Sequence, residues 1–309
     1  MLFSRRTLLL TGAAAAAALA LSGCSGAGDA APAAAGADGT IAVVASTNVY
    51  GDIAALIGGS HVTVHSIISK AGADPHGYEA NAQDKLAVSK AQVGIENGGG
   101  YDDFFGQLAK GQLDPAETIN VSELSGLDTG DGFNEHVWYS LPTMTKLADD
   151  LAGRFSALRP EQAADFTKQA DAFKAKVAAL ESRLAALKEK HDGEPAAITE
   201  PVPLYLLEQA GLVNKTPDKF TEAVENGSDV PAAVLKETLE LMGSGKLDLL
   251  AYNEQTGSPQ TEEVRAAATA AGVPVADFAE TLPQETSYIE WMDTNVSSLE
   301  KALQSPAAP

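Results

Sequence analysis

From Ala163 to Leu187 apolar side chains recur at Ala163, Phe166, Ala170, Phe173, Val177, Leu180, Leu184 and Leu187, at spacings that alternate between three and four residues. An α-helix brings such positions onto one face. Pro160 stands where a first helical turn tolerates proline, and the pattern runs on to about Lys190. At 1.5 Å per residue such a helix is roughly 46 Å long, more than the width of a small domain. It therefore predicts a strut between two bodies. A two-chain coiled coil fits less well, because the seam carries two alanines and two phenylalanines and lasts under four heptads.

On both sides of the strut short β-branched runs alternate with amphipathic stretches, the pattern of a parallel α/β sheet. Before it, strands are expected at Thr40–Ala45, Val62–Ile68, Gln92–Glu96 and Thr118–Val121. The helices between them are expected at Tyr50–Ile57, at Gln83–Ala91 entered through Asn81, and at Tyr101–Lys110. After it, strands are expected at Ala196–Thr199, Leu247–Tyr252 and Val273–Phe278, with helices near Val202–Ala210, Pro231–Met242, Gln260–Ala271 and Tyr288–Leu303. The fold class that follows is α/β: two parallel-sheet lobes, 40–158 and 192–309, joined by one long rigid helix, 159–191.

The amino-terminal segment reads as an address. Arg5 and Arg6 precede an apolar run from Thr7 to Leu21 that is shorter than the roughly 20 residues a spanning helix needs. Residues 1–23 are expected to be a signal peptide. Leu21-Ser22-Gly23-Cys24 resembles a bacterial lipobox, which implies that Cys24 is acylated at a new amino terminus and holds the protein on the extracytoplasmic face of the cell membrane. Ser4-Arg5-Arg6-Thr7-Leu8-Leu9 also resembles a twin-arginine signal, and the general secretory route stays equally open. Residues 24–39, rich in Ala and Gly and punctuated by Pro32, are expected to form a tether spanning on the order of 20 Å.

Composition narrows the chemistry. Cys24 is the only cysteine, so no intrachain disulfide or CxxC site can form. With 42 acidic against 21 basic residues and a net charge of −21, the chain lacks the basic surface that nucleic acid requires. Imidazole chemistry has to come from His61, His65, His76, His136 and His191.

Ligands of open parallel sheets bind beyond the carboxyl ends of the strands. Four donors follow expected strands: His76 in Asp74-Pro75-His76-Gly77-Tyr78-Glu79, His136 in Asn134-Glu135-His136-Val137-Trp138, Glu200 in Ile198-Thr199-Glu200-Pro201, and Glu280 in Phe278-Ala279-Glu280-Thr281. Two come from each side of the strut. Two imidazoles and two carboxylates converging on a cleft suit a divalent ion such as Zn²⁺ or Mn²⁺. His61, His65 and His191 read as surface or structural groups, Glu254 as a supporting or lobe-contact residue, and Tyr78, Trp138 and Tyr139 as a shield for the cleft.

The lipobox, the DPHGYE and HVW segments and the strut helix together resemble the substrate-binding lipoproteins of bacterial zinc and manganese ABC importers, from about residue 40 onward. The resemblance implies two lobes limited in their opening by the long helix, with one cargo ion, Zn or Mn, between them. It implies that His76, His136, Glu200 and Glu280 are the ligands, and that the partners are a permease with its ATPase, approached by a monomer. Glu280 stands where aspartate is usual, which leaves Asp277 as a possible stand-in. The stretch Gly126–Phe133 lacks the histidines of the metal-harvesting loop found in many zinc members.

Three other functions fit the sequence less well. A zinc-dependent hydrolase would need an open coordination position and a general base, and the sequence has no HExxH or GxSxG. A metal-binding adhesin lipoprotein would have no use for a preorganised four-donor cleft. An importer component for an organic ligand would call for a wide, arginine-rich cleft. The expectation is a non-enzymatic metal-capture protein.

Overall fold

Parallel strands must cover both sheet faces with helices, and the computed structural model shows how this chain does so. It describes residues 39–70, 77–127, 130 and 132–304, all within one unit of the chain, Ala33–Pro309. The signal segment, Cys24, the tether and His76 lie outside the described residues.

The first half runs β1 (Ile41–Thr47), α1 (Asn48–Gly58), β2 (Val62–Ile68), α2 (Ala82–Lys90), β3 (Val93–Glu96), α3 (Asp103–Ala109), β4 (Thr118–Asn120), α4 (Val121–Ser125) and α5 (Leu141–Leu158). A 3₁₀ turn, Pro160–Gln162, leads into α6 (Ala163–His191). The second half runs β5 (Pro195–Ile198), α7 (Leu204–Gln209), β6 (Val213–Asn214), α8 (Asp218–Glu225), α9 (Ala232–Met242), β7 (Leu249–Asn253), α10 (Pro259–Ala270), β8 (Val275–Phe278) and α11 (Tyr288–Gln304). Every strand pair is parallel. The orders β2-β1-β3-β4 and β6-β5-β7-β8 are the same topology used twice. In each sheet the chain lays its second strand on one side of the first and the next two on the other. That reversal creates the crevice at the strand ends where α/β sheets bind ligands.

The expected strands and the expected helices flanking them appear, with strand ends shifted by no more than two residues. Four elements were not among the expected ones. α5 buries Leu141, Met144, Leu147, Leu151 and Phe155, a helical repeat present in the sequence but overshadowed by its longer neighbour. α4, β6 and α8 are too short to carry a period; α8 has only Phe220 and Val224 buried. The capping prediction for α2 holds in detail. The Asn81 side chain accepts from the amides of Gln83 and Asp84 at 2.8 and 3.3 Å, and Asp84 accepts from the Asn81 amide at 2.8 Å. Tyr78 donates to the same Asp84 carboxylate at 2.9 Å, which fixes the chain just after the segment that contains His76.

α6 buries seven of its eight seam positions, while Ala163 at its start is half-buried. Phe166 packs on Phe155 of α5 at 5.5 Å between ring centroids, and Phe173 on Tyr288 of α11 at 5.9 Å. One apolar core runs from Ile41 and Val43 through this seam to Ala251 and Phe278, so the two sheets are not separate bodies on a free linker. A second set of contacts ties the halves directly. The Asn48 amide brackets Leu282, donating to its carbonyl at 2.8 Å and accepting from its N–H at 3.0 Å. Asp52 accepts from the Tyr288 amide at 2.7 Å, and Tyr139 and Tyr288 donate across to Ala279 and Trp138 carbonyls at 2.8 and 2.7 Å. Among the described residues no helix is long and apolar enough to cross a membrane.

Truncating Phe173 leaves a cavity where three helices meet, so Phe173→Ala is expected to cost about 3–5 kcal/mol in urea denaturation. Lys174→Ala, which removes a surface pair with Asp149 at 2.6 Å, is expected to change stability by less than about 1 kcal/mol.

Candidate metal centre

His136 owes its position to the end of β3. Asn97, fully buried just beyond that strand, donates to the Glu135 carbonyl at 2.9 Å and accepts from the Tyr50 hydroxyl, which pins the loop before the turn Val137–Tyr139. The His136 residue is 1% exposed, its ring lying against Trp138 at 5.1 Å and Tyr101 at 5.8 Å. Its Nδ1 lies 2.7 Å from Asn134 Oδ1. The orientation of that amide is decided by its other end: Asn134 Nδ2 donates to the Pro201 carbonyl at 3.0 Å, and a carbonyl can only accept. Oδ1 therefore faces the imidazole and Nδ1 donates to it, so in the neutral ring Nε2 is the nitrogen that could take a metal. The same contact joins the histidine loop to the residue after Glu200, and Tyr205 donates to the Asn134 carbonyl at 2.7 Å beside it.

Glu200 and Glu280 come from β5 and β8 and are 3% and 4% exposed. Asn253, at the end of β7, donates to both carboxylates, to Glu280 at 2.8 Å. Thr256 donates to Glu200 as well, and Tyr101 reaches across from the first half to Glu280 at 3.3 Å. Gln255 accepts from the amides of Glu280 and Thr281 and donates to the Thr281 hydroxyl at 2.7 Å, so the Glu280 loop is held on both sides. Several donors hold these buried carboxylates in place.

Other sequence expectations separate cleanly. Asp277 points away from the cleft, 43% exposed, and pairs with Arg265 at 3.1 Å. Glu254 is exposed, contrary to the supporting role expected of it; its neighbour Asn253 takes that role because the strand alternation turns the amide inward. His65 is exposed on the edge strand β2. His61 pairs with Asp165 at 3.3 Å, and His191 with Glu194 at 2.7 Å. Trp138 and Tyr139 are buried beside His136, and Tyr78 packs on Phe104 at 4.9 Å.

Two residues escaped the sequence reading. Among the described residues, Glu135, His136 and Glu225 present ligand atoms that all lie within 4.8 Å of one another. Glu135 adjoins His136 in the sequence and could have been suspected; Glu225 ends a helix that the pattern did not reveal. Burial pushes the Glu225 carboxyl up to about 8, helped by the negative charges of Glu135, Glu200 and Glu280. Glu135 lines a cleft of ≈ 940 Å³ with Gly99 and Gly100 on one side and Glu200, Glu225 and Thr256 on the other. Gly98, Gly99 and Gly100 take positive φ values of 73°, 67° and 92°, a turn closed to side chains with a Cβ, which leads directly into Tyr101.

The fold and its donors can now be compared with known proteins. The manganese-binding lipoprotein MntA of Bacillus subtilis (strain 168) is 32% identical over 143 residues, 44% of this chain and 46% of that one. The chain spans about half the length of the curated relatives it matches. Among solved structures, the periplasmic zinc-binding protein TroA from Treponema pallidum superimposes with a TM-score of 0.70 at 19% identity, over 86% of this chain and 99% of that one. FpvC from Pseudomonas aeruginosa, in complex with Mn²⁺, gives 0.70 at 20% identity, over 86% and 98%. These two likenesses show the fold: two parallel-sheet lobes bridged by a long helix. The family model described as zinc-uptake complex component A, periplasmic, matches residues 43–302. That family is a component of an uptake complex, not a family of enzymes, and this chain, matched over most of its length, belongs to the zinc-uptake complex component A (ZnuA) family.

Proposed function

We propose that this protein captures one divalent transition metal ion, zinc or manganese, outside the cytoplasmic membrane and delivers it to the permease and ATPase of an ABC importer. The observation that carries the reading is His136: a buried imidazole whose Nδ1 is bonded by Asn134, next in the chain to Glu135, which lines a cleft that Glu200 also lines from the other half. A metal-ligating histidine characteristically donates its other ring N–H to an acceptor of this kind. The relatives named for manganese and zinc support the cargo class. We assign His76, His136, Glu200 and Glu280 as ligands, His76 on its Asp-Pro-His-Gly segment alone, with lobes at 40–158 and 192–309 joined by 159–191. The protein acts as a monomer anchored through acylated Cys24, as expected of a lipoprotein.

Coordination requires neutral imidazole and ionised carboxylate, so protons compete with the metal. Isothermal titration should find one ion per chain. Both Zn²⁺ and Mn²⁺ should bind, zinc more tightly by the usual divalent order. Affinity should fall between pH 7.5 and pH 5.5, because imidazole ordinarily takes its proton near 6.5; equal affinity at the two values would exclude histidine ligation. His136→Ala should abolish tight binding while His65→Ala leaves it unchanged.

Asn134→Ala removes the acceptor that fixes the His136 tautomer. Metal affinity is expected to drop by about 10–100-fold, with the Nδ1–H form no longer dominant in ¹⁵N spectra of the imidazole. Cys24→Ala should leave the protein unprocessed or released from the membrane fraction, and normal processing with full membrane retention would remove the anchor from the proposal.

A further inference from the structure

Glu225 has features that packing does not explain. It is the last residue of α8, where the unpaired carbonyls of a helix disfavour an anion. Its Oε1 is shut off from solvent and has no hydrogen-bond partner among the described residues. A buried oxygen left without a donor is costly, so something is expected to fill that place. The carboxyl also stands among other negative groups, Glu135, Glu200 and Glu280.

What would satisfy these groups together is a cation. Ligand atoms about 2.0–2.2 Å from one ion lie at most about 4.4 Å apart. The atoms offered by Glu135, His136 and Glu225 fall within 4.8 Å of one another, so a small closing movement brings all three onto one ion. Glu135 and His136 belong to the first half of the chain and Glu225 to the second, which makes this contact one that bridges the cleft.

We propose that Glu225 is a ligand of the cargo ion, delivered from α8 to a position shared with His136 and Glu135. The inference rests on the metal-capture reading above and adds an oxygen donor to it. With Glu135 and Glu225 beside Glu200 and Glu280, the cleft offers more oxygen than a four-coordinate zinc uses. Manganese accepts six ligands and favours oxygen, so Glu225 serves to retain Mn²⁺ against the intrinsic preference of the site for Zn²⁺.

The test uses the full chain in detergent, freed of metal by a chelator and titrated with Mn²⁺ or Zn²⁺ at pH 7.5. The variants are Glu225→Gln, Glu225→Asp and, as a control on the exposed face of the same helix, Glu222→Gln. Glu225→Gln is expected to weaken Mn²⁺ binding by roughly tenfold or more and Zn²⁺ binding by less than about threefold. Glu225→Asp should recover part of the Mn²⁺ affinity, and Glu222→Gln should match the wild type. A Glu225→Gln protein that binds both ions as the wild type does, or that loses both to the same degree without recovery in Glu225→Asp, would overturn the assignment. Failure of the wild type itself to bind either ion is a different outcome, which removes the metal-capture reading and this inference with it.

Discussion

The site depends on two side chains that bind main chain across the boundary between the halves. Asn48 and Asp52, on the first turns of α1, hold the backbone of Leu282 and Tyr288. The segment they hold follows directly from Glu280. A carboxylate on β8 would otherwise follow every adjustment of the second sheet; here its loop is fastened to the first half, and Tyr139 at the Ala279 carbonyl adds a third point. Glu200 is joined to the first half by a different route, through the Asn134 amide at the Pro201 carbonyl.

The long helix supplies the rest of this rigidity. Its buried seam lies in a core shared by both sheets, so bending it would expose apolar area on both sides at once. Arg183 reinforces the arrangement at the surface by bonding Glu300 at 2.7 Å and Asp293, both on α11. Exposed pairs of this kind contribute little individually. Their value is in keeping α11 parallel to the strut while Phe173 and Tyr288 meet beneath them.

Within that frame Glu200 and Glu280 share one amide, Asn253, and receive hydroxyl donors from Thr256 and Tyr101. Neutral donors hold the carboxylates in place without cancelling their charge. A dication would cancel it, and the imidazole aimed by Asn134 would supply the nitrogen that distinguishes a transition metal from calcium or magnesium.

The sequence by itself determined the strut, the two parallel sheets and the ends of the strands, because a repeat of three and four residues and short β-branched runs are local properties of the chain. It also singled out Glu200 and Glu280 as donors just past strands of a parallel sheet, and His136 by its short motif, although that histidine is placed by a loop that Asn97 holds. It determined neither Asn253 in place of Glu254 nor the orienting role of Asn134. Those follow from Asn253 being buried at the end of β7 while Glu254 lies exposed beyond it, and from a bond to Pro201, 67 residues away in the chain. Glu225 was beyond its reach for the same reason: α8 is too short to announce itself, and only the tertiary fold, by laying that helix across the cleft, brings its last residue to the histidine.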